Sequence, residues 1–171
     1  TQSTFTTNGK LAWGTKVDQD FRVKVRSVAK SLNLDASWLM AIMYHESGIS
    51  TTAKNPSSTA TGLIQFTRAT AIALGTTTTA LARMTAVDQM DYVEKYFNQY
   101  KGRISNLTDC YMAVFYPKAM GQPDSYVIAT APSETYNANA NLDSNHDGVI
   151  TRAEAVAPVM SALRSGQVNA V

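Results

Sequence analysis

The sequence predicts a mainly α protein with at most a small β-hairpin. Apolar residues recur at spacings of three and four through most of the 171 residues, and residues suited to helix caps precede these segments. No long stretch alternates apolar and polar residues as an amphipathic strand does. The length suits one packed core. The single cysteine, Cys110, excludes an intramolecular disulfide and is predicted to be a small core residue.

The predicted elements follow from periodicity and from start and stop signals. In the first helix Phe21, Val25, Val28 and Leu32 form one apolar face. Pro117 ends the last helix of the body, because proline disfavours helical geometry in the residue before it. The predicted helices run from Asp18 to Asn33, from Asp35 to Gly48, from Thr67 to Leu74, from Thr85 to Gly102 and from Leu107 to about Tyr116. A hairpin is expected at 60–66, and loops are expected at 76–79 and 137–141.

Charge and hydropathy exclude several classes of partner. The net charge is only +2, without a run of Lys or Arg, so nucleic acid is not expected to be a partner. No apolar run approaches the roughly 20 residues that span a bilayer, so no membrane insertion is expected. The Thr-rich opening lacks the apolar stretch of a signal peptide. Residues 1–17 are predicted to form an arm that packs on the body through Phe5 and Trp13, and the protein is expected to be a monomer.

Glu46 occupies an unusual position for an acid. It lies three and four residues after Met43 and Ile42, so on a helix it projects from the apolar face. Partial withdrawal from water raises the pKa of a carboxyl, which suits protonation of a glycosidic oxygen. The alternative is a structural glutamate that satisfies buried donors or pairs with an arginine.

Three segments resemble the ordered motifs of a known family. Met43 to Gly48 (Met-Tyr-His-Glu-Ser-Gly), Thr61 to Phe66 (Thr-Gly-Leu-Ile-Gln-Phe) and Ala113 to Pro117 (Ala-Val-Phe-Tyr-Pro) are similar to the Glu-Ser, Gly-Leu-Met-Gln and Ala-Tyr-Asn motifs of lysozyme-like lytic transglycosylases. This superfamily includes soluble transglycosylases, goose-type lysozymes and phage enzymes. The resemblance covers about residues 18–128. Pro117 departs from it, because the family has Asn there.

The resemblance implies a lysozyme-like helical domain, placed at 18–130, and a role for each motif residue. Glu46 would be the only catalytic acid and base, and His45 beside it would be a residue of the cleft wall or of the packing. Tyr126 is favoured over Tyr136 as the tyrosine of a later motif. The substrate-binding residues implied in this way are Ser47, Gly62, Leu63, Gln65, Tyr116 and Tyr126.

The implied activity is cleavage of the β-1,4 bond between N-acetylmuramic acid and N-acetylglucosamine in peptidoglycan glycan strands, with formation of 1,6-anhydro ends. One alternative is a hydrolytic lysozyme that uses the same glutamate. Another is a non-catalytic, calcium-stabilised module for glycan binding or virion structure. The expected place of action is the bacterial cell wall, in the periplasm or outside the cell, with a phage particle or endolysin as one source.

Residues 143–154 fit the calcium-loop pattern D-x-[DN]-x-[DN]-G-x5-E throughout. Ca²⁺ takes six to eight oxygen ligands, and Gly148 permits the sharp turn of such a loop. The predicted ligands are Asp143, Asn145, Asp147, the carbonyl of Val149, Thr151 and Glu154. Without a second loop, the ion is expected to be structural, stapling segment 131–171 to the body. Thr151 and Glu154 predict a capping box, and Pro158 predicts a kink or break in the helix before Gly166.

Overall fold

The computed structural model describes residues 9–171 and confirms the mainly α architecture. The helices are α1 (Gln19–Leu32), α2 (Ala36–Ser47), α3 (Arg68–Ala73), α4 (Thr78–Ala82), α5 (Ala86–Asn98), α6 (Leu107–Phe115), α7 (Glu134–Ala138) and α8 (Arg152–Val168). Single 3-10 turns occupy Gly14–Lys16, Pro117–Ala119 and Ala140–Leu142. The strands are β1 (Val127–Thr130) and β2 (Val149–Thr151). Within the described residues, no helix is long and apolar enough to cross a membrane.

Helix α2 lies at the centre of the packing. It contacts α1, α6 and α8, and α1 also packs on α5. Six of its twelve residues are buried: Ser37 and the five consecutive residues from Leu39 to Met43. A consecutive buried run is expected for a helix that has neighbours on several sides. Cys110 on α6 is fully buried in the same core, as the sequence predicts. Glu46 is therefore carried, on the last turn, by a helix that packs against three others.

The predicted helix starts are confirmed by their caps. Asp18, Asp35, Thr67 and Thr85 each accept a hydrogen bond from a backbone N–H of the following first turn. At the C-termini of α1 and α2, Asn33 and Gly48 adopt left-handed geometry, which allows the chain to turn away from each helix. The capping box of Thr151 and Glu154 is also present. These caps set the ends of α1 and α2 and the starts of α3, α5 and α8.

Of the kink or break predicted at Pro158, the break is wrong, because α8 is continuous from Arg152 to Val168. The kink stays a prediction. Proline removes one backbone hydrogen bond and crowds the preceding turn, at a cost of about 3 kcal/mol. Buried residues on both sides of it, from Ala155 to Leu163, hold the helix against α2 and α6 and outweigh this cost. Gly166 does not end the helix either. It is buried beneath Trp13, whose backbone N–H donates to its carbonyl.

Two loop predictions and one predicted helix end are also corrected. Segment 76–79 is not a simple loop, because Thr77 caps α4. Segment 137–141 contains the end of α7 and part of a 3-10 turn. Helix α5 ends at Asn98, before Gly102, and the chain continues in turns closed by hydrogen bonds to the carbonyls of Phe97 and Asn98. In each case hydrogen bonds within one turn determine the local structure, and the spacing of apolar residues does not indicate these bonds.

The small sheet lies elsewhere than predicted. Segment 60–66 is a tight turn held by isolated bridges that pair Thr61 with Lys54 and with Phe66. The two-stranded antiparallel sheet is formed by β1 and β2, with Val127 opposite Thr151 and Thr130 opposite Val149. Strand β2 is the middle of the acidic loop 143–154. The sheet therefore joins this loop to the segment that follows the helical body.

The described part of the N-terminal arm packs on the body. The backbone N–H of Leu11 donates to the carbonyl of Val171, and the Trp13 ring stacks on Tyr44 of α2 with 3.7 Å between ring centroids. The packing predicted for Trp13 is thus present, whereas Phe5 lies outside the described residues. The domain boundaries at 17 and 130 stay predictions.

Candidate active site

Glu46 lies on the last turn of α2, two residues before the left-handed Gly48. It is partly buried, and its helical neighbours Ile42 and Met43 are fully buried. No residue of the described chain donates a hydrogen bond to its carboxylate or forms an ion pair with it. Burial raises the pKa of Glu46 from 4.5 to about 7. Near neutral pH this carboxyl therefore exists in both protonation states, as proton donation followed by proton abstraction requires.

Two tyrosines from other helices share the environment of Glu46. Burial raises the pKa of Tyr111 on α6, and the negative charge of Glu46 raises it further. The pKa of Tyr96 on α5 is also raised. Burial is again the largest cause, followed by Tyr100 and then by the charge of Glu46. The Tyr96 hydroxyl donates to the carbonyl of Ala113, with 2.5 Å between the oxygens. Both tyrosines are thus near enough to feel the charge of an acid that has no basic partner among residues 9–171.

His45 contacts Tyr111 on the solvent side of these tyrosines. Its ring meets Tyr111 edge to face, with 5.6 Å between centroids, and its Nε2 lies 3.5 Å from the Tyr111 hydroxyl. Burial of part of the ring lowers the pKa of His45, which favours the neutral imidazole. A neutral ring beside Glu46 does not stabilise the carboxylate, so it leaves the raised pKa of the acid intact. The contact agrees with the cleft-wall or packing role suggested for His45.

Ser47 ties the end of α2 to the turn at 61–66. Its hydroxyl lies 3.0 Å from the carbonyl oxygen of Met43 and 2.9 Å from that of Leu63, and it accepts a hydrogen bond from the backbone N–H of Ser50. These contacts engage the hydroxyl proton and one of its two acceptor positions, and through them Ser47 holds the second motif at the end of α2. A contact between Ser47 and the substrate stays a prediction.

The turn at 61–66 is held by its own polar groups. Gly62 has a φ of +86°, and a Cβ at this position would lie 2.5 Å from Oε1 of Gln89. The Leu63 side chain is fully buried. Gln65 has a φ of 57°, and its side-chain amide donates to the carbonyls of Ala53 and Gly62. The predicted contacts of Gly62, Leu63 and Gln65 with sugar remain predictions, while their structural roles are clear.

Gln89 is a positioning residue that the sequence analysis missed. It is fully buried on α5, and its Oε1 accepts a hydrogen bond from the backbone N–H of Leu63 at 2.7 Å. Its Nε2 donates to the carbonyls of Thr51 and Leu81. One amide thus joins α4, α5, the segment after α2 and the turn at 62–63. The sequence feature that could have indicated this role is a polar glutamine on the core-facing side of α5.

The remaining predicted tyrosines lie in different places. Tyr116 follows α6 as its C-cap residue, and Tyr126 precedes β1, where its carbonyl accepts a hydrogen bond from the N–H of Arg152. Neither residue makes a hydrogen bond with Glu46. Tyr136 on α7 donates its hydroxyl to Oδ2 of Asp143 at 2.6 Å. Tyr136 therefore belongs to the acidic loop, while cleft roles for Tyr116 and Tyr126 stay predictions.

The acidic loop brings together three carboxylates. Asp143, Asp147 and Glu154 each offer an oxygen within 4.8 Å of the others, a spacing at which one metal ion could be held. Asp143 is buried, and the hydrogen bond from Tyr136 is the main cause that lowers its pKa. The carboxylate of Glu154 accepts hydrogen bonds from the backbone N–H groups of Ser144 and Thr151. The loop is therefore ordered around its acids.

The backbone of the acidic loop turns sharply at its glycine. Gly148 has a φ of +84°, and Ile150 turns into the core. The antiparallel sheet pairs Val149 and Thr151 with β1. The cluster of carboxylates, with the amide oxygen of Asn145 in the same loop, suits a hard divalent cation.

A helical body that carries a partly buried proton donor at a helix end suits an enzyme that cleaves glycosidic bonds. Residues 25–116, more than half of the chain, match the transglycosylase SLT domain. The chain therefore belongs to this family of peptidoglycan lytic transglycosylases. No curated protein matches the chain. The matched region contains Glu46, the turn at 61–66 and Tyr116, and it ends before the acidic loop.

Proposed function

We propose that this protein cleaves the β-1,4 bond between N-acetylmuramic acid and N-acetylglucosamine, with Glu46 as the single general acid and base. The observation that carries the proposal is the partly buried Glu46 carboxyl, which lacks a polar partner in the described chain and has a pKa of about 7. Membership in the transglycosylase SLT domain family supports peptidoglycan as the substrate.

The proposed reaction returns Glu46 to its starting state. The protonated carboxyl donates its proton to the glycosidic oxygen as the bond from that oxygen to C1 of the muramic residue breaks. The resulting carboxylate then takes the proton of the 6-hydroxyl of the same residue, whose oxygen forms the new bond to C1. The products are a 1,6-anhydromuramic end and a free 4-hydroxyl on N-acetylglucosamine. No second carboxylate is needed, because an internal hydroxyl replaces water as nucleophile.

Three other acids of the helical body have roles elsewhere. Asp91 pairs with Lys24 on α1, and Asp109 forms a buried ion pair with Arg152. Asp88 lies in the first turn of α5, where an acid interacts favourably with the helix dipole. This distribution supports a site that works with one acid. Hydrolysis by a water activated by the same Glu46 is the second candidate chemistry.

We also propose that the acidic loop binds a structural Ca²⁺. The ligands would be Asp143, Asn145, Asp147, the carbonyl of Val149, Thr151 and Glu154. Such an ion would neutralise the clustered carboxylates and fix β2 and the start of α8 against the body. The proposed place of action is the cell wall of bacteria, reached from the periplasm, from outside the cell or from a phage particle.

Mass analysis of the fragments released from purified sacculi tests the activity. Anhydro ends, each lighter by one water than a reducing end, are expected; reducing ends would assign hydrolysis. Glu46→Gln is expected to abolish release, whereas Glu134→Gln, an exposed replacement of the same kind on α7, is expected to retain it. Release of fragments by folded Glu46→Gln protein would contradict the assignment of Glu46. Binding of the wild type to sacculi without release would instead support the non-catalytic module.

A further inference from the structure

A cavity of 540 Å³ lies at the opposite end of α2 from Glu46. Trp38 on the first turn of α2 lines it, and eight residues separate Trp38 from Glu46, about 12 Å along the helix axis. None of the residues assigned to the sugar cleft lines this cavity. Its volume falls within the range of cavities that hold small ligands, roughly 300 to 1,000 Å³.

The charges around the cavity favour an uncharged ligand. The guanidinium of Arg152 and the carboxylate of Asp109 both line the cavity, and they neutralise each other across 2.8 Å. The exposed carboxyl of Asp124 on the rim adds a negative charge, which opposes binding of a phosphate or carboxylate. A ligand that offers hydroxyl and amide groups instead can donate to Asp124 and to the Ser105 hydroxyl, whose own proton is donated to Asp109. It can also accept from the Asn106 side-chain NH₂, since the Asn106 Oδ1 already accepts from the Asp109 N–H.

The remaining wall is apolar and partly accessible. Trp38 and Met160 are half-buried, and Leu163 and Pro123 complete this side. An indole ring beside aliphatic groups provides a surface for the C–H face of a sugar ring, while the polar rim meets its hydroxyls. The combination of an aromatic surface, uncharged donors and acceptors and a negative rim suits an uncharged saccharide.

We infer that this cavity binds N-acetylglucosamine units of a glycan strand, away from the bond that is cleaved. The inference rests on the proposed function, which makes this polymer the substrate. A second point of attachment on the same polymer raises the effective concentration of glycan at the cleft, because the protein is already bound to that glycan strand through the cavity. Arg152 begins α8 directly after β2, so the acidic loop also positions one wall of this site.

The two tryptophans of the chain permit a direct test by NMR. The Glu46→Gln protein is titrated with the β-1,4-linked tetramer of N-acetylglucosamine, and the indole N–H signals of Trp38 and Trp13 are followed. Trp38 is expected to shift and to saturate. Trp13 serves as the internal control, because its indole donates to the carbonyl of Ala162 in a buried hydrogen bond and is expected to stay in place. The His45 ring, close to Glu46 in sequence, reports binding in the cleft.

These signals separate the inference from the proposed function. A shift of His45 without any shift of Trp38, at tetramer concentrations that saturate the cleft, would overturn the inference and leave the proposed function standing. A saturable shift of Trp38 in a protein whose wild type releases nothing from sacculi would support the glycan site and contradict the proposed enzyme activity.

Sedimentation with sacculi extends the test to the polymer. In the Glu46→Gln background, Trp38→Ala is expected to weaken binding by about tenfold, which corresponds to loss of one good aromatic contact. Tyr92→Ala is the matched control, because Tyr92 is a half-buried aromatic of α5 that does not line the cavity. Asp124→Ala, an exposed change, keeps the test valid if Trp38→Ala fails to fold. Equal binding by folded cavity variants and the control would overturn the inference.

Removal of the stem peptides from the sacculi identifies the bound part of the polymer. Glycan strands without peptides are expected to bind the Glu46→Gln protein as well as intact sacculi do, and to keep the dependence on Trp38. If the Trp38-dependent part of the binding is lost with the peptides, the cavity binds peptide and the inference fails.

Discussion

Oδ1 of Asp109 on α6 lies 2.8 Å from Nη2 of Arg152 at the start of α8, and the two side chains are only 4% and 5% exposed. Asp109 Oδ1 also accepts a hydrogen bond from the N–H of Gly121, and Arg152 Nη1 donates to the carbonyl of Gln122. The pair joins the helix that carries Tyr111 to the end of the acidic loop. It is a long-range contact between the helical body and the C-terminal segment.

Asp109→Asn is expected to lower the free energy of unfolding by about 3 to 5 kcal/mol, because it leaves the buried Arg152 charge uncompensated. Arg152 already has a buried Nε without a hydrogen-bond partner in the described chain, so it has little alternative pairing. Denaturant unfolding at pH 7 measures the change. The control is Asp91→Asn, which removes the more exposed pair with Lys24 and is expected to cost less than about 1 kcal/mol. Similar losses in both variants would contradict this account.

Glu46→Gln is expected to stabilise the fold at pH 8 and, if Glu46 is the acid as proposed, to abolish activity. Burial raises the pKa of Glu46 from 4.5 to about 7, so at low pH both the folded and the unfolded chain carry the protonated acid. As the pH rises past the unfolded pKa, the unfolded chain ionises first and the fold loses stability, until the loss is complete above the folded pKa. The replacement removes this loss, about 1 to 3 kcal/mol at pH 8 and little at pH 4.

Thermal unfolding of wild type and Glu46→Gln at the two pH values checks this prediction, with Glu134→Gln as the exposed control. The same difference in stability at pH 4 and pH 8 would exclude the raised pKa as its cause. In the wild type, cleavage is expected to decline as the pH rises through about 7, because the proton donor is lost.

Calcium is expected to raise the melting temperature of the protein, and a chelator is expected to reverse the effect. At a free concentration of 100 times Kd, binding to the folded form alone contributes about 2.7 kcal/mol. Asp147→Asn removes one of the proposed charged ligands and is expected to weaken calcium uptake in a calorimetric titration. Asp124→Asn, an exposed acid outside the loop, is the control. Absence of calcium uptake, together with no chelator effect on melting, would contradict the metal site.

Gly166→Ala is expected to destabilise the contact between the N-terminal arm and α8. A Cβ at this position would lie 2.6 Å from Cδ1 and Nε1 of Trp13, so the ring must move from its place against Tyr44. Overpacking of this kind costs about 1 to 3 kcal/mol. Ser165→Ala, on the exposed side of the same helix, is expected to change stability by less than about 0.5 kcal/mol. Unfolding curves followed by tryptophan fluorescence compare the two, and equal stability would contradict the close packing.

Much of the local structure was predictable because its causes are local. Asp18, Asp35 and Thr85 cap their helices through hydrogen bonds that span two or three residues, and such bonds leave a mark in the sequence. The apolar setting of Glu46 follows in the same way from its spacing to Ile42 and Met43. The acidic loop follows from a contiguous motif. These features require no knowledge of how distant segments meet.

The sequence by itself therefore determined the helical class, the helix caps, the position of Glu46 and the acids of the loop. Only the tertiary structure decided that α8 continues through Pro158, that Gln89 holds the turn at 62–63 and that Asp109 meets Arg152. The physical reason is that these features depend on contacts between residues far apart in the sequence. Burial against other helices outweighs the local cost of a proline. A buried polar group depends on hydrogen-bond partners many residues away, and no pattern within one helix reveals those partners.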